Sequence, residues 1–170
     1  MNKILESQFV FEKQAFSKLL IGTSMLEITY SETFNLIFYK YINNSENSDY
    51  KWTVQKLNLI IDAPFWITEK SQWEECVKDN NDVMPMDDNM LAYELVNIRY
   101  NNLIQVQDVV FFEDYLHIFL EGNKILSIAY CSDSEYSWIL EEVSDKSPQE
   151  KIMVLCQDGE LFAKNIPEIL

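Results

Sequence analysis

The hydrophobic period changes several times along this chain. Over residues 7–20 apolar positions recur at helical spacing. Phe9, Phe16, Leu19 and Leu20 share a face, Glu12, Lys13 and Gln14 fill the other, and Gly22 stands where a helix-ending left-handed residue belongs. The period then drops to two. Residues 25–30, 34–41 and 51–61 are rich in Ile, Val, Thr and aromatics and read as strands, with the polar loop NNSENSD between the last two. Pro64 is expected to close this strand region. Ser71 and Glu74 form a capping box that opens a short helix near 69–79. After the loop DNNDVMPMDD, Asp87 or Asp88 caps a second helix over 88–99, with Met90, Leu91, Leu95 and Ile98 as its apolar positions.

The second half returns to period two. Strands are expected over 103–110, 115–121, 124–131, 136–143, 151–156 and 160–166, with EGN at 121–123 and QDG at 157–159 as tight turns in which glycine supplies the positive φ. Leu116, Ile118 and Leu120 face one way; Tyr115, His117, Phe119 and Glu121 face the other. These elements predict one α+β domain over 1–170, an antiparallel meander with a few helices packed on one face. Segments 7–62 and 88–166 echo each other: helix end, strand, strand, then an aromatic-x-Trp strand (Tyr50 to Trp52, Tyr136 to Trp138). An internal duplication and the echo of any helix-plus-meander protein both account for this.

Composition narrows the function classes. The 170 residues are 48% apolar and 14% aromatic, enough to bury a core and to exclude intrinsic disorder. No apolar run is long enough to span a bilayer. The opening MNKILESQFVFEKQ carries charges too early for a secretion signal, so a cytoplasmic protein is expected. Twenty-eight acidic against 13 basic residues give a formal net charge of −15, the wrong sign for nucleic acid or an anionic membrane. Arg99 is the sole arginine and no glycine-rich loop exists, which removes the usual anchors for nucleotides and phosphoryl transfer.

Candidate chemistry is sparse. Cys76, Cys131 and Cys156 are scattered, form no CxxC pair, and read as reduced core residues. With the single histidine they lack the spacing of a zinc site, so no metal or cofactor is implied. The acidic stretch of Glu69, Glu74, Glu75, Asp79, Asp82, Asp87, Asp88 and Glu94 is offset only by Lys70 and Lys78. It lacks the glycine and alternation of an EF-hand loop; an irregular cation site, a surface for a basic partner, or a solvated loop with two capped helix starts are the readings it leaves. Adjacent carboxylates such as Glu74 and Glu75 point about 100° apart on a helix and do not converge on one site. His117 reads as a structural histidine beside Tyr115 and Phe119, or as a general base with Ser127 or Cys131 on the next strand. Trp52 and Trp138 read as core, while Trp66 and Trp73 flank the short helix.

The pair Trp66 and Trp73, the helix segment LAYEL (91–95) and the meander YLHIFLEGNKILSIAYCSDSEYSWIL together resemble the bacterial immunity proteins of polymorphic and contact-dependent toxin systems. That resemblance implies a cytoplasmic, non-enzymatic protein that neutralises one cognate toxin, commonly a basic nuclease, and it carries over no catalytic residue. The expected contact residues are Trp73, Glu74, Glu75, Asp82, Asp87, Asp88, Asp133, Glu135 and Tyr136, the carboxylates meeting Lys or Arg and the aromatics supplying buried area. Two alternatives stand beside it. One is a small hydrolase or ligand-binding protein with a pocket near His117. The other is a structural subunit, a homodimer paired through an exposed strand edge such as residues 151–156.

Overall fold

Among the described residues, ten strands pair into two antiparallel sheets around one core. The computed structural model describes residues 9–43, 52–72, 88–100, 104–112, 114–130 and 135–167. In chain order the elements are α1 (Val10–Leu20), β1 (Ser24–Tyr30), β2 (Phe34–Asn43), β3 (Trp52–Ile61), β4 (Phe65–Glu69), α2 (Asp88–Tyr100), β5 (Val106–Phe111), β6 (Tyr115–Leu120), β7 (Lys124–Ala129), β8 (Trp138–Glu142), β9 (Met153–Gln157) and β10 (Glu160–Lys164). The first sheet has the order β1-β2-β3-β8-β9-β10, the second β4-β7-β6-β5. This is the α+β antiparallel class that the periodicity predicts.

The ends of α1 follow from local chemistry. Phe9 sits in the left-handed region (φ 62°), which breaks the helix before Val10. At the other end Gly22 takes φ +79°, Thr23 Oγ1 donates to the Leu20 carbonyl at 2.6 Å, and the Lys40 ammonium donates to the Lys18 and Ile21 carbonyls at 3.2 Å each. The QDG turn has Asp158 at φ 50° and Gly159 at φ 77°, the paired positive φ of a two-residue hairpin turn of type I′.

Both sheets direct one face inward. Across the first, Leu36, Leu59, Leu140 and Val154 are paired in one continuous row with no exposed surface. Across the second, Ile67, Leu126, Ile118 and Val109 form the corresponding row. Phe16 of α1 lies between the sheets, its ring 4.7 Å from Trp138 and 5.6 Å from Phe111. Helix α1 packs against β5, β9 and β10, and α2 against β1 and β4. Each helix therefore touches both sheets, where the sequence suggested helices on a single face.

The chain exchanges strands between the sheets. After α1 and the meander β1-β2-β3 it crosses at Asp62, Ala63 and Pro64 and places β4 beside β7 in the second sheet. After α2 and the meander β5-β6-β7 it returns and places β8 beside β3 in the first. The crossings meet: the Asp62 and Ala63 amides donate to the Ser137 carbonyl (3.2 and 3.1 Å), and the Ala129 amide donates to the Pro64 carbonyl (2.9 Å). The outer strands of the two meanders also join, through Val106 N–H to the Thr23 carbonyl (2.9 Å) and Met25 N–H to the Ile104 carbonyl (3.0 Å).

Two expectations need correction. Pro64 does not end the strand region but leads into β4, whose Phe65, Trp66 and Ile67 are all buried and so show no alternation. The stretch 151–156 is not an edge, because β9 is hydrogen-bonded to β8 on one side and β10 on the other; β10 is the outermost strand. The short helix near 69–79 is described only over its first turn, and the rest lies outside the described residues.

Candidate functional site

Of the nine expected contact residues, Trp73, Glu74, Glu75, Asp82, Asp87 and Asp133 lie outside the described residues. Asp88 opens α2. Glu135 is exposed and Tyr136 half-buried just ahead of β8, with the Tyr136 hydroxyl donating to Glu135 Oε1 at 3.0 Å. That hydrogen bond and the Glu135 charge raise the Tyr136 pKa.

The two ends of the acidic stretch converge on one cation. Lys124, at the start of β7, places its ammonium 2.7 Å from Glu69 of β4 and 3.4 Å from Glu94 of α2. Burial works against its charge, but the two carboxylates outweigh that and raise its pKa. Lys124 thereby ties α2 to the second sheet. At its far end Arg99 Nε donates to the Leu26 carbonyl of β1 at 3.0 Å.

Helix α2 so held presents apolar side chains on two faces. Leu91, Leu95 and Ile98 enter the core. On the opposite side Met90 (53% exposed), Tyr93 (70%), Val96 (62%) and Tyr100 (86%) follow one another at spacings of three and four, a stripe of large side chains in water. The sequence reading placed Met90 with the core positions; the structure places it in the outward stripe. The signal was present in the sequence, since MLAYELVNIRY contains more apolar residues than one helical face can hold.

His117 lies opposite Ser127 on paired strands, with Nδ1 2.7 Å from Ser127 Oγ. The rings of Phe112 and Tyr115 stand 5.5 and 6.0 Å away. Burial pushes the imidazole pKa down to about 4, so the ring is neutral at pH 7. Ser127 has no exposed surface. A nucleophile must reach its substrate, and this hydroxyl is sealed into the sheet; the arrangement is that of a core hydrogen bond. Cys156 is likewise buried, and burial lifts its thiol to about 11, the state of an unreactive core cysteine. Cys76 and Cys131 lie outside the described residues. Among the described residues no three of His, Cys, Asp and Glu cluster closely enough to hold a metal ion, and no helix is long and apolar enough to cross a membrane.

No protein-family model matches the chain, and no match is found among curated proteins or solved structures.

Proposed function

We propose that this protein is a non-enzymatic, acidic protein-binding module of the immunity type, which neutralises a basic toxin or nuclease by covering a surface that enzyme needs. The observation that carries the reading is the outward stripe of α2. Tyr93, Val96 and Tyr100 are large, half-rigid side chains already in water, on a helix that continues directly from the acidic stretch. Aromatic anchors bordered by charge are the usual anatomy of a protein-binding surface, the rings supplying buried area and the charges supplying speed and partner choice. A net charge of −15 favours a basic partner and repels nucleic acid that would compete for it.

The test is to capture partners on the tagged protein at low salt and to follow association with a retained basic protein by stopped flow. Tyr93→Ala and Tyr100→Ala are expected to raise Kd at least tenfold through faster dissociation. Reversing Asp87 and Asp88 to Lys is expected to slow association at low salt and to matter little at high salt. A capture that retains no basic protein, or a retained one whose activity the protein leaves unchanged, would sink the reading.

A further inference from the structure

Strand β10 ends the first sheet and, among the described residues, has no strand on its outer side. Which of its backbone groups face that side follows from its neighbours. The Ser137 amide donates to the Cys156 carbonyl at 2.8 Å and the Glu142 amide to the Ile152 carbonyl at 2.9 Å, so in this segment the even-numbered residues bond towards β8. The odd-numbered Met153, Leu155 and Gln157 therefore bond to their partners in β10, Lys164, Phe162 and Glu160. The two-residue turn agrees, since the residues flanking it, Gln157 and Glu160, exchange hydrogen bonds. The N–H and C=O of Leu161 and Ala163 are left directed out of the sheet, and among the described residues nothing bonds to them. The other outer strands are attended. In β5 the Val106 amide donates to the Thr23 carbonyl and the Val106 carbonyl accepts from Gly22, both at 2.9 Å; in β1 the Leu26 carbonyl accepts from Arg99; and α2 packs against β4.

The side chains of β10 read ELFAK. Leu161 is buried and Ala163 half-buried on the inner face, while Glu160, Phe162 (48% exposed) and Lys164 stand on the outer one. Phe162 ends a row of half-buried apolar partners on that face, Leu155 of β9, Ile139 of β8 and Ile60 of β3. We propose that β10 pairs antiparallel with β10 of a second copy, about a two-fold axis at Phe162, and so joins two first sheets into one. The strand is its own complement in that register. Leu161 stands opposite the second copy's Ala163, and each such pair exchanges two hydrogen bonds, which uses every outward group. Glu160 stands opposite the second copy's Lys164 at both ends, a directly opposed pair of opposite charges. Lys164 Nζ donates to the Pro148 carbonyl at 2.8 Å, a neutral acceptor that leaves its charge and its other donors for Glu160. The two Phe162 rings meet as a non-hydrogen-bonded pair, the closer kind, and the two outer apolar rows become one. An axis at Leu161 or at Ala163 would keep the hydrogen-bonding parity but set Phe162 against Glu160 or Lys164, breaking both the ring pair and the charge pairs. A foreign edge would have to reproduce this order and spacing of charge; a second copy has them by symmetry. The inference does not rest on the binding reading. Helix α2 packs against β1, the opposite end of the same sheet, so pairing at β10 takes place remote from the α2 stripe.

The test is sedimentation equilibrium of the full-length protein from about 10 μM to about 1 mM, with amide exchange followed by NMR. A five-residue edge buries little area, so a weak, reversible dimer with Kd on the order of 100 μM is expected. Protection of the Leu161 and Ala163 amides should grow with concentration. Ala163→Pro removes an outward N–H that no bond within the chain uses, the setting in which an edge strand accepts proline, and should weaken the dimer at least tenfold. Glu160→Lys and Lys164→Glu change the net charge in opposite senses, yet each sets like charges face to face at both ends and should weaken the dimer at least fivefold. The double exchange opposes unlike charges again and should bring Kd back to within about twofold of the parent, and the two single variants mixed should form the mixed dimer. Both charge positions are exposed, so these variants keep the proposal testable if the proline variant does not fold, and circular dichroism verifies each. A protein that stays monomeric to about 1 mM overturns the proposal. A dimer that the proline variant leaves intact does so too, as does one that follows net charge, strengthening in Glu160→Lys and weakening in Lys164→Glu. A dilute monomer with the Ala163 amide already protected would overturn it as well, since the edge would then be covered from within its own chain.

Discussion

At the scale of single residues, the buried histidine links stability to pH. His117 has its pKa lowered from the ordinary 6.5 to about 4 because burial penalises the charged ring. The folded protein therefore binds fewer protons here than the unfolded chain does. The stabilisation is fully present above pH 6.5 and is lost as the pH falls through 4, where folding no longer excludes the proton. Its size is at most about 3.5 kcal/mol, taking about 1.4 kcal/mol per pH unit of displacement. Acid destabilisation between pH 7 and 5 is thus expected to begin before most carboxylates titrate. In His117→Gln, which keeps a hydrogen-bonding group for Ser127 and cannot titrate in this range, the urea midpoint should stay nearly flat over the same interval. A variant that loses stability as steeply as the parent over this interval would place the acid sensitivity in groups other than His117.

At the scale of elements, the two faces of α2 make opposite demands. Leu95 and Ile98 are in the core, so Leu95→Ala should cost 2–5 kcal/mol, roughly the range for a buried leucine truncated where neighbours cannot fully collapse. Tyr93→Ser and Tyr100→Ser should each change folding stability by less than about 0.5 kcal/mol, since they remove side chains that are mostly in water. Denaturant unfolding of the three variants checks both statements. Tyrosine variants as costly as the leucine variant would mean the outward stripe is already covered, and the docking surface would go with it. The same helix shows what a sequence can carry. Strands whose faces differ, such as β9 with Val154 and Cys156 inward between the more open Met153, Leu155 and Gln157, are legible because burial alternates with the pleat. The turn at Asp158 and Gly159 is legible because few residues tolerate paired positive φ. Strand β4 is not, since Phe65, Trp66 and Ile67 are buried on both faces behind a proline, and a short unbroken apolar run carries no period. Nor was the position of β9 within its sheet, because neighbours in a sheet are set by non-local pairing that leaves no trace in either strand alone. The free edge of β10 was equally hidden, since only the position of β9 decides which of its amides turn outward.

At the scale of the molecule, the strand exchange decides what can fold. The first half contributes α1, a three-strand meander and β4; the second contributes α2, a three-strand meander, β8 and the β9–β10 hairpin. Each sheet ends its meander on a strand, β3 or β7, whose open side is filled by the other half. Without β8, strand β3 would expose a row of backbone donors and acceptors, and the apolar faces of Leu59 and Ile61 would lose Leu140 and Trp138 beside them. Phe16 of the first half would lose both Trp138 and Phe111, which come from the second. Few cooperative units of this fold are local, so the core is completed only when both crossings have formed, and folding should be slow for a chain of this size. The consequence is testable by cutting the chain in the connection between β4 and α2. Neither fragment alone is expected to give a dispersed NMR spectrum or a cooperative denaturation curve as a monomer. Mixed at equal concentrations, they should recover the circular dichroism of the intact protein and elute as one species, with a transition that rises with concentration because unfolding is now also dissociation. The first fragment is the sharper test, since it holds four strands and a helix yet lacks every partner for β4. If it folds cooperatively as a monomer, the exchanged strands are accessories to a self-sufficient sheet, and the molecule is two domains that happen to touch.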